Sequence, residues 1–161
     1  MNSKGLLTDH TRIIAELERS IEFYNLNSIL SFLPKGSYLV GGYIRDIILG
    51  RVTEDVDVDI VVPFNAIEIG KKISENIESK FIILDKKREV VRIILKNISI
   101  DIANQISSTV TGDLCSRDFS INSIAFLFDK KCLLDPLNGL KDLEISLLRT
   151  HSEKNLLNDP L

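Results

Sequence analysis

Residues 38–62 read YLVGGYIRDIILGRVTEDVDVDIVV, and the fold turns on this stretch. Tyr38-Leu39-Val40 is a short apolar run of strand type that ends directly in Gly41-Gly42. Ile44 to Leu49 then reads as a helix, closed by Gly50. From Val56 to Val62 the period drops to two: Val56, Val58 and Ile60 take one face, Asp57 and Asp59 the other. A strand that runs into two glycines and a helix lets backbone N–H groups approach an anion closely. Arg45, near the start of that helix, adds a forked cation able to grip phosphate. Asp55, Asp57 and Asp59 share one face at alternate positions, ~7 Å apart. Two such carboxylates suit divalent cations held ~3.5–4 Å apart in a two-metal site. The plainer account is an exposed strand face carrying charge. Against it, Asp is disfavoured in strands, and three on one face repel unless a cation compensates.

Outward from this stretch the elements alternate. Thr8 or Asp9 is placed to cap a helix with Ile13, Ile14, Leu17, Ile21 and Tyr24 at helical period. A second helical piece, Ser28 to Leu33, is stopped by Pro34-Lys35-Gly36. Downstream, Asn65 to Ile77 is amphipathic and helical. Phe81 to Leu84, Val90 to Leu95 and Ile98 to Ala103 read as strands, the last two joined by a tight Lys96-Asn97 turn. Gln105 to Gly112 is Ser/Thr-rich and reads as a loop, followed by a helix from about Leu114 to Ile124. Ala125 to Phe128 and Cys132 to Leu134 form a hairpin across Lys130-Lys131. Gly139 to Leu147 is a last helix, with a short strand near Leu148-Arg149. The expected class is α+β, one mixed sheet of about five strands flanked by helices.

Composition bounds the function. The 161 residues are 44% hydrophobic and 27% charged, enough apolar content for one core and too much for a disordered chain. No apolar run approaches the ~20 residues of a membrane span, and Met1-Asn2-Ser3-Lys4-Gly5 lacks the apolar core of a secretion signal. The expected compartment is the cytoplasm, with no membrane partner. Cys115 and Cys132 are too few for a disulfide framework and read as small buried fillers. His10 and His151 read as ordinary polar residues, and Phe119, Phe126 and Phe128 as core. A net charge of -3 excludes a simple basic nucleic-acid glue. The basic residues between Lys71 and Lys96 form either a solvated helix-and-hairpin face or a phosphate-facing surface.

Three stretches together carry a family resemblance. Gly41-Gly42-x-x-Arg45-Asp46-x-x-Leu49-Gly50 with Asp57-Val58-Asp59 resembles the signature of class II tRNA nucleotidyltransferases and bacterial poly(A) polymerases. Asp113-Leu114-Cys115-Ser116-Arg117-Asp118-Phe119-Ser120-Ile121-Asn122-Ser123-Ile124-Ala125 resembles the family's "DL-x-RRDF-T-x-NA-x-A" segment. Asp135-Pro136-x-x-Gly139-x-x-Asp142-Leu143, with Leu148-Arg149, resembles its "DP-x-x-G-x-x-DL…LR" segment. The resemblance implies a polymerase-β-like head domain over residues 36–155, after a helical segment at 1–35 and before the start of a neck helix at 156–161. It implies an enzyme: a tRNA or other RNA 3′-hydroxyl attacks the α-phosphate of CTP or ATP, and pyrophosphate leaves. It implies two Mg²⁺ ions on Asp57 and Asp59, and nucleotide contacts from Gly41, Gly42, Arg45, Arg117 and Asp159. Asp118 would hold the Arg117 segment in place.

Within the acidic strand, Asp55 and Asp57 sit at the commonest family spacing from Gly50. Asp57 and Asp59 fit better counted back from Ile60-Val61-Val62, because apolar residues directly after the second ligand would anchor the strand. Asp101, between Ile100 and Ile102, is either a third carboxylate or the partner of a nearby Arg such as Arg92. Two departures stand out. Ser116-Arg117 replaces the family's arginine pair, and Asn158-Asp159-Pro160-Leu161 resembles the start of a helix that the family continues. The expectation is a fragment with weak or no tRNA addition by itself. Two other readings share the fold: a nucleotide-binding module without turnover, and a transferase acting on a small molecule or protein. The carboxylates and Arg45 count against the first, and the Arg117-Asp118-Phe119 segment counts against the second.

Overall fold

The computed structural model describes residues 8–51 and 55–151. Helix α1, His10–Phe23, begins where Asp9 accepts hydrogen bonds from the N–H groups of Thr11 and Arg12 at 3.1 and 3.2 Å. It buries Ile13, Leu17 and Ile21, the stripe its periodicity marks out. After a single turn, α2 (Asn27–Leu30), the chain enters β1 (Tyr38–Val40), α3 (Gly42–Ile48), β2 (Val56–Val62) and α4 (Ala66–Asn76). Three strands follow: β3 (Lys80–Asp85), β4 (Val90–Ile94) and β5 (Ile98–Asn104). Then come α5 (Val110–Cys115), a 3-10 turn (Ser120–Asn122), β6 (Ala125–Leu127), β7 (Cys132–Leu134) and α6 (Gly139–Glu144).

Among the described residues seven strands join one sheet in the order β3-β4-β5-β2-β1-β6-β7. Only β2 and β5 run parallel; every other neighbouring pair is antiparallel. The sheet has seven strands rather than about five because the β6–β7 hairpin extends it through β1 instead of standing aside. One face carries the main core, with Val58, Ile60, Val91, Ile93, Ile100 and Ile102 packed with residues of α1, α3 and α4. Each such side chain contributes about 1.5–3 kcal/mol on burial. The other face carries a smaller core, where Tyr38, Val40, Val61, Ala125 and Leu127 meet Leu114 of α5. By alternation Asp57, Asp59 and Asp101 belong to that second face.

Several boundaries differ from the sequence reading, each for a local reason. The helix expected from Leu114 to Ile124 is instead α5 plus the 3-10 turn. Thr109 caps α5 by accepting from Gly112 N–H at 3.1 Å, which starts the helix inside the stretch expected to be loop. Ser116 then donates to the Asp113 carbonyl at 2.6 Å, and Phe119 is extended, so the helix cannot run on. Helix α3 begins at Gly42, two residues early, and α6 ends at Glu144, before Ser146 takes a positive φ. No strand forms at Leu148-Arg149; an isolated bridge pairs Phe119 with Thr150 instead. Phe119, Cys115 and Cys132 are half-buried rather than core, whereas Phe126 is buried. His10 and His151 are exposed. The segment 156–161, with Asp159, lies outside the described residues. Among the described residues no helix is long and apolar enough to cross a membrane.

The last elements are knotted together by polar groups. Asp135 accepts from the N–H groups of Gly139 and Leu140 at 2.7 and 3.0 Å and so caps α6. Asp142, 3% exposed, accepts from Ser120 Oγ at 2.5 Å and from Arg149 Nε and Nη2 at 2.9 and 2.7 Å. Gly139 lies so close to the Ser120 carbonyl that a Cβ there would overlap the backbone.

Candidate functional site

Gly41 connects β1 to α3 with φ 85° and ψ -155°, a conformation open to glycine alone among L residues. Its position is set by β2: Val40 pairs with Asp59, and a Cβ on Gly41 would collide with Asp59 Oδ2. The glycine turn and the acidic strand thus touch. Together they wall a cleft of about 300 Å³ lined by Ser20, Tyr24, Gly42, Arg45, Asp46, Arg51, Asp55, Asp57 and Asp59. Gly42, Arg45, Asp46, Asp55, Asp57 and Asp59, all marked by the sequence, therefore line the cleft, and Gly41 abuts Asp59.

Within β2, Asp57 is exposed and Asp59 half-buried, while Ile60, Val61 and Val62 are buried at 2, 3 and 0% exposure. That run anchors the strand directly behind Asp59. Asp55 precedes the strand, exposed in a bend, and also lines the cleft. Among the described residues neither Asp57 nor Asp59 has a hydrogen-bond or ion-pair partner. Burial is the main cause raising the Asp59 carboxyl above its usual range; Arg117 and, more weakly, Arg92 oppose it, while the charges of Asp101 and Asp57 add to it. Hard carboxylate oxygens left without a hydrogen-bond or ion-pair partner are the donor set that Mg²⁺ takes, so the pair fits the metal that the sequence implied. Among the described residues no group of three or more ligating side chains is preformed; the site offers a pair. Asp101 is engaged elsewhere: Arg92 donates Nε to Oδ1 at 2.7 Å and Nη2 to Oδ2 at 2.8 Å.

The raised Asp59 carboxyl predicts a pH signature. A group whose folded pKa exceeds its unfolded value supports the fold when protonated, and that support is lost as pH rises through the folded pKa. Without metal, Asp59→Asn should therefore melt higher than wild type at pH 8, by roughly 2–4 °C per kcal/mol of relieved cost. The gap should close once the pH falls below the unfolded value of about 3.9. Thermal melts in chelator across that range check it; an equal or lower melting point at pH 8 contradicts it.

Arg45 does not reach freely into the cleft. Its Nε and Nη2 donate to Asp46 at 3.0 and 3.2 Å, and Nη1 donates to Asn122 Oδ1 at 3.0 Å. Asn122 is held in turn by Asp118 at 3.3 Å, and Asp118 also accepts from Phe119 N–H at 2.7 Å. The resemblance gave Asp118 a holding role, and its carboxylate is bonded within that segment. Arg117 leans on Asp113 at 3.7 Å, and Asp113 is 2% exposed and accepts from Ile106 N–H at 2.9 Å. Sequence reasoning missed three kinds of participant. Ser20 of α1 and Tyr24 just after it lie where periodicity signals only packing; Arg51 follows the helix stop; Asn122 clamps Arg45. Arg51 and Asn122 lay in stretches already singled out, but neither carried a signal for this role.

A glycine turn abutting a strand with a carboxylate pair, on a mixed sheet, defines the nucleotidyltransferase type of head. The match to the family of the poly A polymerase head domain runs over residues 37–106 and 103–149. The chain belongs to that family. It is 37% identical over 148 residues to a CC-adding tRNA nucleotidyltransferase of Synechocystis sp., covering 92% of this chain and 34% of that protein. It is 34% identical over 128 residues to an A-adding tRNA nucleotidyltransferase of Deinococcus radiodurans, covering 80% of this chain and 28% of that protein. A solved CCA-adding enzyme in its apo form superposes with a TM-score of 0.70 at 32% identity, over 86% of this chain and 35% of that one. The chain thus spans about a third of the length of the relatives it matches.

Proposed function

We propose that this chain is the catalytic head of a template-independent RNA nucleotidyltransferase that adds CMP or AMP to a tRNA 3′ end in the cytoplasm. The observation that carries the reading is the close approach of Gly41 to Asp59 beside a cleft that Asp57 and Asp59 both line, in a chain of this family. The relatives' names divide between CC- and A-addition, so the proposal stands at the level they share: nucleotide transfer to tRNA.

In the reaction the RNA 3′-oxygen forms a bond to the α-phosphorus of CTP or ATP. The bond from that phosphorus to the β-phosphate bridging oxygen breaks, pyrophosphate departs, and the hydroxyl proton is lost. Asp57 and Asp59 would hold Mg²⁺, which when bound supplies Lewis-acid stabilisation of the phosphoryl oxygens. Gly41 and Gly42 let the triphosphate approach the backbone. Arg45, fixed in orientation by Asp46 and Asn122, is a preorganised positive charge at the cleft wall. Arg117, braced by Asp113, would contact the nucleotide, and Asp159 keeps the nucleotide-binding role that the resemblance gives it.

The test is calorimetric titration of the folded chain with ATP and CTP, with and without Mg²⁺. Binding should require Mg²⁺ and fall at least about tenfold in Asp57→Asn, the scale of a lost metal contact. Asp55→Asn should leave most of it. Metal-independent binding of equal strength in Asp57→Asn counts against the site, and a larger loss from Asp55→Asn than from Asp59→Asn moves the pair to Asp55 and Asp57.

A further inference from the structure

Three charged residues stand in one row across the sheet. Asp59 of β2 is level with Asp101 of β5 in the parallel register, and Asp101 is level with Arg92 of β4. Neighbouring strands lie about 4.8 Å apart, so Arg92 and Asp59 start about 10 Å apart at the backbone, within the joint reach of an extended arginine and an aspartate. A guanidinium stays charged at any working pH and seeks a planar carboxylate. Here Asp101 occupies it side-on through two hydrogen bonds, at 2.7 and 2.8 Å. Among the described residues Asp57 and Asp59 have no such partner. Arg117, the other cation acting on Asp59, is braced on Asp113.

We propose that Asp101 is a positioning residue: it holds the Arg92 guanidinium away from Asp59 and Asp57, which keeps that pair open to a divalent cation, and is not itself a ligand. The inference rests on the reading of Asp57 and Asp59 as the metal pair. A third carboxylate that served as a ligand would need its oxygens; the Arg92 fork takes both. Without Asp101, the carboxylates whose charge Arg92 already feels are Asp57 and Asp59, and an ion pair with either would compete with the metal directly.

The experiment measures Mn²⁺ binding by calorimetry on the 161-residue chain, in wild type, Asp101→Asn, Arg92→Met and the double variant, with circular dichroism and thermal melts to show that each folds. Asp101→Asn should weaken Mn²⁺ binding roughly 10–100-fold, the range for residues that orient metal ligands. Adding Arg92→Met should restore it to within about threefold of wild type, since the competing cation is gone. Arg92→Met alone should bind Mn²⁺ at least as tightly as wild type, and this single variant carries the test if Asp101→Asn fails to fold. A double variant as weak as Asp101→Asn overturns the proposal and makes Asp101 a ligand. Unchanged binding in Asp101→Asn, or weaker binding in Arg92→Met, also overturns it. A folded wild type that binds no Mn²⁺ overturns the metal pair itself, and this inference with it.

Discussion

Gly41→Ala is expected to weaken divalent-cation binding severely and to lower the stability of the fold at the same time. Two independent effects meet at this position. With φ at 85° and ψ at -155° the backbone lies where an L side chain is strained, at about 1–3 kcal/mol. The added methyl would also run into Asp59 Oδ2, and Asp59 cannot retreat easily, because Ile60 to Val62 behind it are buried. Relief requires either rotating the Asp59 carboxylate out of the cleft or unwinding the start of α3, and both dismantle the pair that would hold metal. The expected loss of Mn²⁺ affinity is on the order of 100-fold, with about 2–3 kcal/mol of destabilisation. Calorimetry and urea unfolding on the same preparation read both numbers. Gly42→Ala is the control: φ there is helical and its Cβ would meet only the end of the flexible Arg45 side chain, at 3.2 Å. Equal losses in the two variants would show that the turn matters only as a helix start.

Asp142→Ala is expected to cost about 3 kcal/mol in urea unfolding, a large share of a total that for domains lies at roughly 5–15. The residue is 3% exposed and does not line the cleft, yet it ties its neighbours together through one oxygen: Ser120 Oγ and Arg149 Nε and Nη2 bond to Oδ2. Removing it strands a buried hydroxyl and a half-exposed guanidinium. The effect should reach the site, because the 3-10 turn that Ser120 opens ends in Asn122, which clamps Arg45. Nucleotide binding should therefore weaken with stability, while Asp142→Asn, which retains an acceptor for Ser120, should fall between. An unchanged unfolding midpoint in Asp142→Ala would mean that Gly139 packing and the Asp135 cap hold this corner without it.

How much of this was legible beforehand follows from the range of the forces involved. The strands flanking the glycine turn were readable because their signals are short-range: an apolar run into two glycines, then strict alternation. Asp57 and Asp59 were readable for the same reason, since period 2 puts them on one face whatever the rest of the chain does. The helix expected from Leu114 to Ile124 was misread. Its apolar spacing is helical, but Ser116 bonds back to Asp113 and Asp118 bonds forward to Phe119, and such local side-chain bonds outcompete propensity. The number of strands in the sheet was also out of reach, because whether a hairpin joins a sheet depends on a partner edge that lies far off in the chain.

The sequence by itself determined the order of the elements, the face on which the carboxylates lie and the family to which the chain belongs. Each of these is written in spacings of a few residues or in motifs read in order. Only the tertiary structure decided which groups face one another. It placed Gly41 against Asp59, turned Arg45 onto Asp46 and Asn122, brought Ser20 of α1 and the following Tyr24 to the cleft, and settled Asp101 on Arg92. These contacts join residues distant along the chain, and they are set by strand register and by the mutual neutralisation of buried charge, which exist only once the sheet has formed.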